Sequence, residues 1–395
     1  MPRHPLRGVA AITGLGMTPM GRVFGKSETE LAADAVRLAI ADAGLQKLQV
    51  DGLLVNAGIS NGIGLGLQNY LGMKNLRLMN HMNGAGSTAA QMVQYATMAI
   101  AAGMATHVVC VFADAPLKAG TSAGAAYGGA AGSQSRPRGM GGLYPASGYF
   151  GTNTPYALAA RRHMALYGTT QEQLGIIAVG QRAWATKNPL AQMRDPITLA
   201  NYHASRWIVE PLHLLDCCLV SNGAVAVIVS PAAIARDMPN PPVYVWGMGQ
   251  GHPGDSRRAG TTWETETGGA IAAKTAFAMA GVGPADVTVC ELYDCYTYTV
   301  LVTLEDYGFC RKGEGGPFVE DGKLGPGGSL PTNTGGGELS GYYMWGMTPL
   351  SEAIIQGRGA GADRQVKNDL ILCTGNGGSL SYHAALVLSP HRSEA

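Results

Sequence analysis

Behind Ser27 the apolar residues recur at helical spacing, with Leu31, Ala35, Leu38 and Ala39 on one face. Ser27 followed by Glu30 is a capping-box pattern, and Gly44 closes the predicted helix. Residues 50–55 then read as a buried strand. The same order returns much later in the chain. A helix with Ile271, Thr275, Ala278 and Met279 on one face runs into Ala280-Gly281-Val282 and a strand over 287–292. Upstream, residues 9–14 and 243–247 open the two stretches alike. Downstream, each continues through a glycine-rich turn, an apolar helix (about 87–102 and about 348–356) and a buried strand (108–112 and 370–374). This pattern predicts an α/β protein built from two duplicated βαβαβ halves, 1–240 and 241–395.

The first half also carries an insertion over about 116–220. Residues 116–155 are rich in Gly, Ala and Ser, including Gly128-Gly129-Ala130-Ala131-Gly132, and such a long irregular stretch reads as a lid over an active site. Residues 156–184 read as helices, with Thr170 and Gln173 suiting a helix start, and residues 224–229 as a buried strand ending at Pro231.

Composition narrows the function classes. With 395 residues, 46% hydrophobic, 14% charged and 57 glycines, the chain buries a core of small side chains and is not disordered. A formal net charge of +1 without Lys/Arg runs argues against nucleic acid as a partner. There is no membrane-length apolar stretch and no signal-like N-terminus, so the expected location is cytoplasmic. The seven cysteines form an odd set without C-x-x-C pairs, which argues against a disulfide framework and against a zinc site in this chain. No P-loop is present, and Gly14-Leu15-Gly16 alone does not make a dinucleotide site.

Three glycine-rich segments stand out: Asn80 to Thr88, Asn333 through Gly337 to Tyr343, and Cys373 to Gly378. A fourth, Glu291-Leu292-Tyr293-Asp294-Cys295-Tyr296, adds a second tyrosine. Together with the duplication, they resemble the catalytic loops of the thiolase superfamily over essentially the whole chain. That resemblance implies a layered αβαβα fold with the active site between the halves. The stretches Ser205 to Leu212, Leu214 to Cys218, Tyr307 to Cys310 and Leu330 to Met347 resemble, more narrowly, the lipid-transfer-protein (sterol carrier protein x-like) branch, which includes bacterial thiolase-like steroid side-chain aldolases.

Where the family carries its nucleophilic cysteine, this chain has Asn83, and an amide cannot carry an acyl group. Tyr343 stands at the family's histidine position and Gly375 at its acid/base cysteine. The resemblance to the aldolases implies that Tyr293 and Tyr343 form an acid/base pair for retro-aldol cleavage of a branched 3-hydroxyacyl-CoA, releasing a ketone or aldehyde and a short acyl-CoA. Trp345 replaces a histidine of the steroid enzymes and bears on the acyl pocket.

Such a cleavage needs a base at the hydroxyl, stabilisation of the thioester enolate and an acid at C2. Tyr293 is the expected base and Tyr343 the expected acid, the reverse order being open. Asn333, or backbone N–H groups around Gly336, Gly337, Gly377 and Gly378, are candidates for the oxyanion. Asn83 either caps its helix or touches substrate; Asp294 either orients a tyrosine or ends a strand; His252 lies in a candidate pocket loop, while His81 and His383 read as structural. Asp216-Cys217-Cys218 reads as buried scaffold. Arg182, Lys187, Arg257 and Arg258 are candidates for the CoA phosphates.

The resemblance further implies a homodimer and a small OB-fold partner, often with a zinc ribbon, in a heterotetramer; zinc would belong to that partner, and no cofactor is expected in this chain. Two other readings are an acyltransferase working through Cys373 and a non-catalytic acyl-CoA or lipid-binding subunit.

Overall fold

The first helix starts where its cap dictates. The Ser27 side chain accepts from the Glu30 N–H and the Glu30 carboxylate from the Ser27 N–H, so two otherwise orphaned donors are satisfied. The computed structural model describes residues 4–126, 146–149, 151–254 and 265–393. Residues 127–145 and 150 of the expected lid, with the Gly128 to Gly132 run, and Arg257 and Arg258 lie outside the described residues.

In chain order the main elements are β1 (Ala10–Met17), α1 (Glu28–Asp42), β2 (Gly52–Ala57), β3 (Leu78–His81), α2 (Thr88–Ala101), β4 (Val108–Asp114), α3 (Asn153–Tyr167), α4 (Gln171–Ala185), β5 (Trp207–Val209), β6 (Leu212–His213) and β7 (Gly223–Pro231). They continue with β8 (Val243–Gly251), α5 (Gly269–Ala280), β9 (Val289–Glu291), α6 (Thr297–Asp306), α7 (Met347–Gly357), β10 (Ile371–Gly377) and β11 (Tyr382–Ser389). Nine strands form one sheet in the order β3-β2-β4-β7-β1-β8-β11-β10-β9, and β5 and β6 pair separately.

The duplication is visible in that order. β2 runs parallel to β4, and β4, β7 and β1 follow antiparallel; β9, β10, β11 and β8 repeat the arrangement with the same polarities. Each half is therefore a β-α-β-α-β unit extended by a final antiparallel strand, β7 or β11. The two meet at a short β1–β8 pairing, Ala11 opposite Tyr244 and Ile12 opposite Val243.

Alternation along the strands builds the layers. Val108, Cys110, Phe112, Val225 and Val227 face a central core shared with α2, α7, Cys373 and Leu386, whereas Val109, Val111, Ala224 and Ala226 face α1. On the far side, α5 and α6 pack with Leu372, Ala385 and Val387. The result is the layered αβαβα arrangement.

Two helix faces depart from the expectation. Leu38 is 48% exposed, and α5 buries Ala272, Ala273, Ala276, Phe277 and Ala280 while Ile271 is 50% exposed. The reason is steric. A Cβ at Gly14 or Gly16 would overlap the carbonyls of Ala39 and Ala35 in α1, and one at Gly247, Gly249 or Gly251 would overlap those of Ala276, Ala272 and Gly268. Helices that close to a strand present Ala and Gly, and their larger residues turn outward. This contact also accounts for Gly14-Leu15-Gly16. Among the described residues no helix is long and apolar enough to cross a membrane.

Candidate active site

Immediately after β9 the chain turns across the end of the sheet. The Leu292 N–H donates to Asn333 Oδ1 at 2.6 Å and the Tyr293 N–H to Thr374 Oγ1 at 3.2 Å. The Tyr293 ring lies against Gly86, where any side chain would overlap it. Tyr343 arrives from the other side, after the wide helical turn Gly337–Gly341. That turn is pinned by the Asp294 carboxylate, which accepts the Glu338 N–H at 2.9 Å and the Leu339 N–H at 3.2 Å, and by the Arg182 Nε–H, which donates to Ser340 Oγ at 2.8 Å. The Tyr343 N–H then donates to Ser221 Oγ at 2.9 Å. These constraints bring the Tyr293 and Tyr343 hydroxyls to 3.1 Å, with either able to donate.

The pair lines a cavity of about 440 Å³. Ala85 and Gly86, just ahead of α2, form one wall; Trp345, Asn376, Gly377 and Gly378 form another; Tyr156, Tyr296, Cys217, Cys218 and Cys295 close the apolar side. The partial positive charge of the α2 N-terminus is thus directed at the cavity. Ala85 and Trp345 have φ of 51° and 48°, left-handed values that cost a non-glycine residue about 1–3 kcal/mol each and cluster at functional sites.

Burial controls the ionisation here. It pushes the Tyr293 phenol well up, with the nearby Glu338 carboxyl adding to it, so this phenol keeps its proton. Burial also raises Glu338, Cys218 and Cys295, and takes Cys217 to about 12. All seven thiols are free. Asp294 rises to about 7, again through burial, with the Glu338 and Leu339 N–H groups pulling the other way.

Because the ionised Asp294 carboxylate is what holds the 337–341 turn, turnover is expected to rise with pH through about 7, and Asp294→Asn is expected to flatten that limb. Stability runs oppositely: an acid whose folded value is raised stabilises the fold at low pH and loses that contribution between about 4 and about 7. A pH–rate limb unchanged in the asparagine variant would remove Asp294 from this role.

The structure places the expected site residues unequally. Tyr293, Tyr343, Trp345, Gly377 and Gly378 meet at the cavity. Asn83 does not line it: its Oδ1 accepts the Ala85 N–H in a local turn, so it neither caps α2 nor occupies the site. Asn333 is committed through Oδ1 to Leu292, and Gly336 and Gly337 pack on Ala185 and the Asp294 carboxylate, outside the cavity wall. Asp294 orients the turn and neither tyrosine. His252 is exposed and bonded to Gln250 Oε1 at 3.0 Å.

Of the cations expected at the CoA phosphates, Arg182 is buried and spent on Ser340 and the Asp195 carbonyl, while Lys187 is exposed. Sequence reasoning missed Arg206, the one charged side chain among the described residues lining the cavity. It also treated Cys217 and Cys218 as scaffold, whereas both line the cavity; Asp216 beside them is scaffold, accepting from the Tyr202 hydroxyl at 2.8 Å. They fall in stretches that carry the family resemblance, Ser205 to Leu212 and Leu214 to Cys218, but only the fold brings them to the wall.

Comparison with known proteins places this geometry in context. Residues 249–390 match the family described as Thiolase C-terminal domain-like. The chain is 40% identical to a steroid side-chain-cleaving aldolase of Thermomonospora curvata, over 91% of this chain and 93% of that protein. It is 36% identical to the 17-hydroxy-3-oxo-4-pregnene-20-carboxyl-CoA lyase of Mycobacterium tuberculosis, over 94% of this chain and 97% of that protein. Among solved structures, the Ltp2-ChsH2(DUF35) aldolase superposes with a TM-score of 0.85 at 36% identity, covering 98% of this chain and 100% of that one.

Proposed function

Because the chain belongs to the thiolase superfamily, in the branch of the steroid side-chain-cleaving aldolases, we propose that it is a carbon–carbon lyase performing retro-aldol cleavage of a branched 3-hydroxyacyl-CoA with a steroid or similar side chain. The products are a ketone or aldehyde and a short acyl-CoA such as propionyl-CoA or acetyl-CoA. The observation that carries this reading is the 3.1 Å hydrogen bond between the Tyr293 and Tyr343 hydroxyls on the wall of the cavity.

The reaction moves one proton from the substrate hydroxyl to C2, with no net gain or loss. As the C2–C3 bond breaks, its electron pair goes to C2 and the thioester oxygen, and the O–H pair completes the new carbonyl. A hydrogen-bonded pair of neutral phenols performs this transfer by relay. Tyr343 takes the hydroxyl proton while passing its own to Tyr293, and Tyr293 gives its proton to C2. No free phenolate is required, which suits a Tyr293 phenol raised by burial; in this direction of the relay Tyr293 is the acid, the reverse of the order favoured from sequence.

Acyl transfer through Cys373 finds no support. Its side chain belongs to the central core, burial raises its thiol, and it is absent from the cavity wall. As for assembly, the reading includes a homodimer and a small partner of the DUF35 kind with an OB fold, any zinc belonging to that partner; the complex named for the solved relative supports the partner.

The test is mass-spectrometric release of a short acyl-CoA from branched 3-hydroxyacyl-CoA candidates, with the chain alone and with its small partner. Cleavage without a protein-bound acyl group is expected. A stable acyl-enzyme, or binding without turnover across the panel, would overturn the reading.

A further inference from the structure

At and behind the cavity wall lie polar groups that the described residues leave unsatisfied. Asn376, in β10, is 1% exposed, and neither its Nδ2 nor its Oδ1 has a hydrogen-bond partner among the described residues. Directly opposite in β11 stands His383, fully buried, with both ring nitrogens equally unpartnered. The His383 ring lies 5.6 Å from that of Tyr307, whose hydroxyl is also buried without a partner. Residues facing each other on paired strands share a side of the sheet, so these groups form one polar recess. Each such group costs about 1–3 kcal/mol if nothing bonds to it.

The recess is not remote from the chemistry. Asn376 lines the cavity beside Gly377 and Gly378. The space a side chain at Gly86 would fill is bounded by the backbone carbonyl of Asn376 on one side and the Tyr293 ring on the other. Burial holds His383 down to about 3, so the recess adds no cation next to the acid. A neutral carboxamide is a two-hydrogen donor that can bind an enolate oxygen without protonating it.

We propose that Asn376 is a catalytic residue whose Nδ2 donates a hydrogen bond to the thioester oxygen as the enolate forms. This rests on the lyase reading and adds to it an oxyanion donor on the cavity wall, which neither Asn83 nor Asn333 lines. A side chain kept for substrate, with no partner of its own, contributes little to the fold.

The test uses exchange of the C2 hydrogens of propionyl-CoA in D2O, which needs the enolate and an acid/base group and does not need the unidentified branched substrate. Wild-type full chain is compared with Asn376→Leu, close in shape, and Asn376→Asp, which lacks the N–H donor. Exchange is expected to fall about 10²–10³-fold in both, while the melting temperature of the leucine variant stays level or rises. Exchange within twofold of wild type in the leucine variant overturns the assignment and leaves the lyase standing. Unfolding of both variants also overturns it, since the amide would then be structural. A wild-type chain that neither exchanges nor cleaves sinks the lyase reading itself.

Discussion

Tyr343→Phe is expected to lower the rate of carbon–carbon cleavage by about 10²–10⁴-fold, the contribution of a positioned proton-transfer group, and Tyr293→Phe by a similar factor. The two hydroxyls act as one relay across a 3.1 Å bond, so the double variant should be little worse than the poorer single one. Loss should appear in kcat, with KM nearly unchanged, because the ring that lines the cavity stays in place. Stability should move little: one neutral hydrogen bond has a net worth of about 0.5–1.5 kcal/mol. Multiplying losses in the double variant would show two independent groups instead of a relay, and near-normal cleavage in both singles would remove the mechanism. Single-turnover measurements separate these results from slow product release.

The largest stability effect is expected beneath the site. Arg364 Nε and Nη2 reach Glu352 Oε1 and Oε2 at 2.9 and 3.2 Å, and both residues are buried. Thr334 Oγ1 lies 2.7 Å from Glu291 Oε1 and 2.9 Å from Glu352 Oε1, and receives the Gln356 amide at 2.9 Å. A hydroxyl has a single proton to give, so it bonds to one carboxylate and receives from the other. Glu291 is the protonated one, raised first by burial and then by Glu352.

Arg364→Met leaves Glu352 buried and unpaired beside this group, and unfolding free energy should drop by about 3–5 kcal/mol. Adding Glu352→Gln should restore part of the loss, as the two positions share one interaction. Since Asn333 and Thr334 anchor the segment that leads through the Gly337–Gly341 turn to Tyr343, activity should recover with stability. Chemical denaturation of the three proteins decides the point, and additive losses would exclude the ion pair as the cause. Glu291 has a raised folded-state value, so its contribution is present at low pH and declines as pH rises above the ordinary carboxylate range.

Much of the scaffold is legible in the order of residues alone. The Ser27 and Thr170 capping boxes form as their spacing implies, and the apolar segments ahead of Pro231 and around residue 110 become central strands. The tyrosine pair is legible because each phenol stands in a loop of distinctive composition. Asn333 and Asp294 are misread for a common reason: a polar residue in a glycine-rich loop looks the same whether it meets substrate or secures the loop, and here both secure it.

Caps, strand alternation and the repeated order of elements are local properties, written in neighbours a few positions apart, and the chain by itself determined them. Which helix face is buried was decided only in three dimensions, by how closely α1 and α5 approach the glycines of β1 and β8. So was the site. Residues 83 and 85 differ by two positions, yet only Ala85 reaches the cavity, and Asn376 acquires its meaning from His383 across the sheet and Gly86 from the other half. Contacts between residues hundreds of positions apart leave no periodicity in the chain, and burial, which sets every ionisation state at the site, exists only once the two halves have closed on each other.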